Sequence, residues 1–137
     1  MKINYWLIKS EPGNWSWDDQ VKVKKTMWDG VRNYQARNNM KLMKKGDLCF
    51  FYHSVKDKEI VGIVEVAREY NPDPTDSSNN FVAVDVKRKK KLTRPVTLLE
   101  IKNNKHLLNL PLIKQTRLSV MLIDKNSWNL ICKLSNN

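Results

Sequence analysis

The chain has 137 residues, which suits one domain with a single hydrophobic core. Its 25 lysines and arginines outnumber its 14 acidic residues, and the resulting net charge of +11 favours a polyanionic partner such as nucleic acid. No apolar run reaches the roughly 20 residues that span a bilayer, and two distant cysteines without metal-ligand spacing argue against a disulfide framework or zinc site. We therefore expect a cytoplasmic protein with no membrane partner, metal or cofactor.

The first part of the chain predicts one strand and two helices. Residues 3–9 mix β-branched and aromatic types, as in a strand buried on both faces, and the Pro-Gly turn at 10–13 ends it. Residues 16–19 pair a capping serine with early acids, which is typical of a helix start. Residues 33–43 suit a second helix, and Lys45-Gly46-Asp47 supplies a glycine for a left-handed cap.

The middle of the chain predicts three strands. The first two cover about 47–54 and 60–69 and are joined by a polar turn. A loop rich in Pro, Asp, Ser and Asn follows at 71–80. Valines then alternate with other residues at 82–86, which predicts a half-buried strand running into the basic segment 87–94.

Two short helices are predicted towards the C-terminus. Residues 97–100 form a capping-box pattern, and Asp124 is positioned to cap the last helix. Four residues mark the inward face of that helix: Ser127, Leu130, Ile131 and Leu134. The order of elements predicts a single α+β domain, a small mixed β barrel with short flanking helices.

Trp28 precedes an Asp29-Gly30 turn and stands outside any apolar periodicity. It either plugs the barrel end or offers its face to a flat ligand, and base stacking on such a ring contributes about 1–3 kcal/mol. Asn33 carries donors and an acceptor together, which reading a base edge requires. The alternative role of Asn33 is helix N-cap, and the two exclude each other if its side chain folds back onto the backbone.

His53 and Ser54 end the strand at 47–54. A period of two places Tyr52 and Ser54 on one face and Phe51 and His53 on the other, so a regular strand cannot aim both polar groups into one pocket. Either the strand end twists or one group is scaffold. A neighbouring serine and histidine do not make a hydrolase without a nucleophile elbow, an orienting acid and an oxyanion site, so we expect no catalytic residues.

The basic residues provide candidate phosphate contacts. Arg117 falls at a predicted strand start, where its guanidinium would pair either with phosphate or with an acid such as Asp29 or Glu11. Basic residues form a stripe at 37–45 and a run at 87–94. Either these side chains are simply solvated, or they contact a nucleic-acid backbone and give an affinity that depends on salt. The residues assigned to that backbone role are Arg37, Lys41, Lys44, Lys45, Lys87, Arg88, Lys89 and Lys90.

Six segments, in this order and over nearly the whole chain, resemble the EVE domain family. They are Trp6–Pro12, Trp28–Asn38, Lys45–Asp47, Phe51–Ser54, Ile60–Val66 and Arg117–Val120. The resemblance implies a PUA-like fold, a mixed pseudobarrel. It also implies a pocket for a modified base in DNA or RNA, with methylated or hydroxymethylated cytosine as favoured candidates.

The resemblance further implies roles for single residues. Trp28 corresponds to the ring that stacks on the base, and Asn33 to the amide beside it. The other residues of the expected pocket are Ser10, Tyr34, His53, Ser54 and Arg117. A base held in a duplex would have to be flipped, at a cost of a few kcal/mol. Three alternatives stay open: a general binder of tRNA or rRNA, a small-molecule-binding enzyme subunit, and a protein-interaction subunit.

Overall fold

The structure is a computed structural model that describes residues 2–136. Within them the chain forms six strands and five helices. In chain order these are β1 (Tyr5–Ser10), α1 (Trp17–Lys22), β2 (Thr26–Trp28), α2 (Tyr34–Leu42), β3 (Leu48–His53), β4 (Glu59–Pro72), β5 (Val82–Thr97), α3 (Leu98–Lys102), α4 (Pro111–Lys114), β6 (Val120–Ile123) and α5 (Lys125–Ser135). None of the described helices combines the length and apolar character that crossing a membrane requires.

All six strands belong to one mixed sheet with the order β2-β5-β4-β3-β1-β6. β1 runs parallel to β3, and the other neighbouring strands are antiparallel. The α+β class predicted from the sequence is confirmed, and within the described residues the strands of the expected small mixed barrel form a sheet that is not closed. Closure fails because the short edge strands β2 and β6 each pair with a single neighbour, β5 and β1 respectively.

The core is centred on β1 and β3. Trp6, Leu7 and Ile8 on β1 are buried, as are residues 49–52 on β3, so both faces of these strands are covered. The hydrophobic effect therefore fixes the middle of the sheet, at about 25 cal/mol per Å² of apolar surface removed from water. Between Phe51 and Tyr52 the pairing of β3 with β4 skips Val61, so the extra residue of this irregularity lies on β4.

The predicted helix starts are confirmed. The Ser16 hydroxyl accepts a hydrogen bond from the Asp19 N–H (3.1 Å), and the Asp19 carboxylate accepts one from the Ser16 N–H (2.9 Å). The same reciprocal pattern starts α3 at Thr97, and Asp124 caps α5. These local bonds satisfy N–H groups that a helix leaves unpaired, which is why sequence alone predicted them.

Two local predictions need correction. Gly46 does adopt a left-handed conformation (φ +96°), but α2 already ends at Leu42, so this glycine belongs to the following turn. All five residues of the strand predicted as half-buried at 82–86 are buried, because helices pack against β5 in addition to the strands β2 and β4 that pair along its edges. β5 then continues as an exposed strand through residues 87–91.

Candidate functional site

A cavity of about 600 Å³ opens where β1 ends, a volume within the range of small-molecule sites. Its wall is assembled from separate parts of the chain: the end of β1, the turn after it, all of β2, the turn after β2, and one residue before β6. The lining residues are Lys9, Ser10, Glu11, Asn14, Trp15, Thr26, Met27, Trp28, Asp29, Gly30, Val31, Arg32 and Ser119. We call it the Trp28 cavity.

Trp28 ends β2 and is paired with Val84 of β5. Its indole is only 8% exposed, because it packs edge-on against Phe51, with the ring centroids 5.6 Å apart. The side chain is therefore both a core residue and part of the cavity wall. Thr26, two residues earlier on β2, also lines the cavity, and its buried hydroxyl has no hydrogen-bond partner among the described residues.

A buried carboxylate holds the turn that follows Trp28. The Asp73 Oδ2 atom accepts hydrogen bonds from the Gly30 N–H (2.8 Å) and from Arg32 Nη1 (3.0 Å). Gly30 has φ +77°, a conformation that favours glycine. Burial by itself raises the pKa of Asp73, but hydrogen bonds from Thr75, Gly30 and Arg32 outweigh it and hold that pKa below its usual value. The loop at 71–80 thus fixes this side of the cavity.

The opposite wall is fixed by the end of β1. The buried Ser10 hydroxyl donates to the Trp15 carbonyl, and the Ser10 carbonyl accepts from the Ser54 N–H (2.9 Å). The Trp15 indole N–H donates to Gln20 Oε1 (2.9 Å), which ties the turn to α1. Lys9 Nζ donates to the Thr116 carbonyl (2.9 Å), and burial lowers the pKa of this lysine.

Of the residues predicted for the pocket, Ser10 and Trp28 line the Trp28 cavity, whereas the others lie outside it. Asn33 is the N-cap of α2, and its Oδ1 atom accepts from the Ala36 N–H (2.8 Å). The side chain has folded back onto the backbone, which is the alternative that the sequence left open. The ring of exposed Tyr34 lies 5.0 Å from that of Phe81.

His53 and Ser54 are also placed outside the cavity. His53 Nε2 accepts a hydrogen bond from the Trp17 N–H (3.0 Å), so the imidazole anchors the start of α1. Burial lowers the pKa of His53, although Asp57 and Asp18 act in the opposite direction. Ser54 lines a different recess together with Arg117. Within the described residues Arg117 pairs with neither of the acids considered for it.

The basic residues assigned to a nucleic-acid backbone line no part of the Trp28 cavity. On α2, the guanidinium of Arg37 packs over Tyr34 and donates to the Asn80 carbonyl (3.0 Å). On β5, Lys89 forms an ion pair with Glu65 (3.6 Å). The remaining members, Lys41, Lys44, Lys45, Lys87, Arg88 and Lys90, are exposed. Their assignment to phosphate contacts stays a prediction.

Several residues that form the cavity wall or hold it in place were not predicted from the sequence. Asp73 lies in a segment that composition identifies only as a loop, although its spacing to Thr75 is typical of a side-chain-to-backbone turn. Trp15 and Thr26 carry no local signal, because they reach the cavity only through the packing of α1 and β2. Within residues 2–136 no group of His, Cys, Asp or Glu side chains is arranged to hold a metal ion.

Solved structures identify the class of this fold. A protein from Rhodopseudomonas palustris is 48% identical, with a TM-score of 0.93 and coverage of 98% of this chain and 94% of that one. An ASCH protein from Zymomonas mobilis, 11% identical, has a TM-score of 0.61 over 96% of this chain and 95% of that chain, which shows likeness of fold alone. The molecule has an α+β, PUA-like fold.

The family follows from residues 4–134, which match the EVE domain model, and the chain belongs to that family. Thymocyte nuclear protein 1 from Gallus gallus is 35% identical, over 97% of this chain and 70% of the relative. A structure of human THYN1 in complex with DNA containing 5-methylcytosine is 30% identical, with a TM-score of 0.89 and coverage of 98% of both chains.

Proposed function

We propose that this chain is a non-enzymatic reader of modified cytosine in DNA and that the Trp28 cavity receives the base. The observation that supports this best is a tryptophan ring in the wall of a cavity of about 600 Å³. The chain that contains it has a human relative solved with 5-methylcytosine DNA. In this proposal the cavity binds the base, and basic surfaces of the protein attract the phosphate groups of the DNA.

The cavity wall has the chemical groups that a nucleobase requires. The indole of Trp28 offers an apolar, π-rich surface, and stacking on an aromatic ring contributes about 1–3 kcal/mol per base. Ser10, Thr26 and Gly30 add polar groups to the same wall. Of these the Thr26 hydroxyl has no hydrogen-bond partner among the described residues, whereas the Ser10 hydroxyl and the Gly30 N–H already donate to Trp15 and Asp73. Binding a base from a duplex requires flipping, which costs a few kcal/mol, so stacking and hydrogen bonds together must offset that cost.

The expected selectivity is modest. A 5-methyl group adds one apolar carbon, and burying such a group contributes about 0.8 kcal/mol, or a few-fold in affinity. Most of the affinity then comes from phosphate contacts, which do not depend on methylation. The net charge of +11 is consistent with that division.

The polar groups do not form an arrangement for catalysis. His53 Nε2, the atom that would act as a base, accepts the Trp17 N–H instead. The Ser54 hydroxyl lines another recess and forms no hydrogen bond with that imidazole among the described residues. A general base must reach the proton it removes, so we assign a binding role to this protein.

The decisive experiment compares two duplexes that differ only in one C5 methyl group. Fluorescence anisotropy of both with the wild type and with Trp28→Ala measures the preference separately from total affinity. We expect the wild type to favour the methylated duplex a few-fold and Trp28→Ala to bind both equally. The same pair of sequences as RNA tests whether recognition extends to that polymer.

A matched control separates recognition from folding. Trp128 is as buried as Trp28 but stacks on Phe50, with the ring centroids 3.7 Å apart, and does not line the cavity. Trp128→Ala should therefore lower the free energy of unfolding and keep the preference for methylated DNA. A Trp28→Ala protein that folds and retains the full preference would overturn the proposal.

A further inference from the structure

Two recesses flank residues 114–118, which we call the 114–118 segment. The first, of about 340 Å³, lies between this segment and the start of α2. The second, of about 320 Å³, lies between the segment and the ends of β3 and α3. Lys9 lines both the second recess and the Trp28 cavity, and Asn33 in the first recess directly follows Arg32 of the cavity wall. The three depressions are therefore neighbours.

The two recesses have an unusual charge. Five cationic side chains and no carboxylate line them: Lys9, Lys58, Lys102, Lys114 and Arg117. Among the described residues none of these five forms an ion pair. The Trp28 cavity differs, because Glu11 and Asp29 contribute to its wall. Concave surfaces lined by one sign of charge concentrate ions of the opposite sign. The recesses are thus suited to an anion, whereas the cavity is not.

The 114–118 segment presents its charge from a fixed backbone. The Gln115 N–H donates to the Pro111 carbonyl (2.7 Å), and the Leu118 N–H donates to the Gln115 carbonyl (3.0 Å). Leu118 is buried, which anchors the end of the segment in the core. Lys9 Nζ donates to the Thr116 carbonyl from the side of β1 (2.9 Å). A charge on an ordered backbone loses less conformational entropy when it binds.

We propose that the polynucleotide backbone crosses the 114–118 segment, with phosphates in the two recesses on either side of it. This inference rests on the proposed function, because it takes the strand that passes over the segment to be the one whose base enters the Trp28 cavity. The ligand class is the phosphodiester. Arg117 lines both recesses and so lies between successive phosphates, where its planar fork suits bidentate contact.

The densest basic run of the sequence is not in this position. Residues 87–91 lie on β5 and line neither recess nor the Trp28 cavity. Lys89 within the run is already paired with Glu65. The side chains of residues 87–91 are exposed to solvent, where salt screens their charge. The path of the backbone is therefore set by five residues that are scattered in sequence.

The test compares two double variants that remove the same charge. Lys114→Ala with Arg117→Ala removes two cations from the recesses, and Lys90→Ala with Lys91→Ala removes two from β5. We expect the first pair to weaken binding of an unmethylated duplex about tenfold and to lower the salt slope of log K by about 2. The second pair should have a much smaller effect on both quantities. Equal losses in the two double variants would overturn the proposal.

The readout on unmethylated DNA keeps this inference separate from base recognition. If Trp28→Ala leaves the methyl preference intact while the Lys114/Arg117 variant still weakens binding, the assignment of the cavity fails and the phosphate path stands. If Trp28→Ala abolishes the methyl preference while the Lys114/Arg117 variant binds as tightly as the wild type, the phosphate path fails and the assignment of the cavity stands. All four substituted side chains are exposed, so thermal unfolding should show little change and confirm that each variant is folded.

Discussion

The indole of Trp28 stands edge-on to the ring of Phe51, with 5.6 Å between the centroids and 79° between the planes. Phe51 also makes an edge contact with the ring of Trp17, with the ring centroids 5.3 Å apart, and Phe51 has no exposed surface. One phenyl ring on β3 therefore positions two tryptophans from different elements, of which Trp28 lines the cavity. The core and the binding site share this residue.

Phe51→Leu should affect both stability and recognition. Leucine retains an apolar side chain but loses the aromatic edge contacts with Trp17, Trp28 and His53, so we expect the free energy of unfolding to fall by about 1–3 kcal/mol. The preference for methylated DNA should decrease as well, because Trp28 is no longer held. Phe50→Leu is the matched control, since Phe50 is equally buried but stacks on Trp128. Urea unfolding and anisotropy measure the two effects, and a similar loss of preference in both variants would contradict this account.

Gly62→Ala should destabilise the fold through Trp17. A Cβ atom added at Gly62 would lie 2.4 Å from the nearest ring carbon of Trp17, so the indole would have to move. We expect a loss of about 1–3 kcal/mol in the free energy of unfolding, as for overpacked cores. Gly13→Ala adds the same methyl group where no atom lies within 4 Å and should change stability little. Equal midpoints of urea unfolding for the two variants would refute the prediction.

Asp73→Asn should loosen the turn after Trp28. The substitution keeps the shape of the side chain but removes the negative charge that faces Arg32 and the Gly30 N–H. We expect the free energy of unfolding to fall by about 1–3 kcal/mol and the preference for methylated DNA to decrease. Asp76→Asn is the control, because Asp76 lies in the same loop and accepts hydrogen bonds from Ser78, Asn80 and Phe81 instead. The prediction fails if both variants retain the wild-type preference.

His53 should make stability depend on pH. Burial lowers the pKa of His53 below its usual 6.5, so the folded state favours the neutral imidazole that accepts the Trp17 N–H. The contribution of neutral His53 to the free energy of unfolding is complete above the unfolded-state pKa, and it is lost as the pH falls through the lower folded-state pKa. Urea unfolding from pH 8 to pH 5 should therefore show a decline that His53→Gln reduces. His106→Gln is the control, since His106 is exposed, and it should leave the decline unchanged.

Local features of this fold were predictable from the sequence because their causes are local. Ser16 with Asp19 and Thr97 with Glu100 bond within one helical turn, so residue type and spacing are sufficient. The alternation at 82–86 predicted a half-buried strand, and this prediction was wrong because its cause is not local. Valines indicate a strand, but whether one or both faces are buried depends on the elements that pack against β5, and these come from distant parts of the chain.

The cavity was only partly predictable. Trp28 was identified by its position before a Gly turn and by family resemblance, and it does line the cavity. The sequence left two roles open for Asn33, base contact and helix N-cap. In the structure Asn33 directly precedes α2 and its side chain caps that helix. Asp73 lies 43 positions from Gly30, so no local pattern could connect them. A wall assembled from three separate stretches of the chain, within 9–15, 26–32 and at Ser119, depends on sheet pairing, which sequence periodicity does not give.

The parallel pairing of β1 with β3 has a consequence for how such a site changes in evolution. Strands that run the same way cannot be joined by a tight hairpin, so the chain must return along the sheet between them. That return contains α1, β2 and α2 and supplies most of the cavity wall, from Glu11 to Arg32. Exchanging this single crossover between relatives should therefore transfer base selectivity as one unit, while the strands beneath it stay the same.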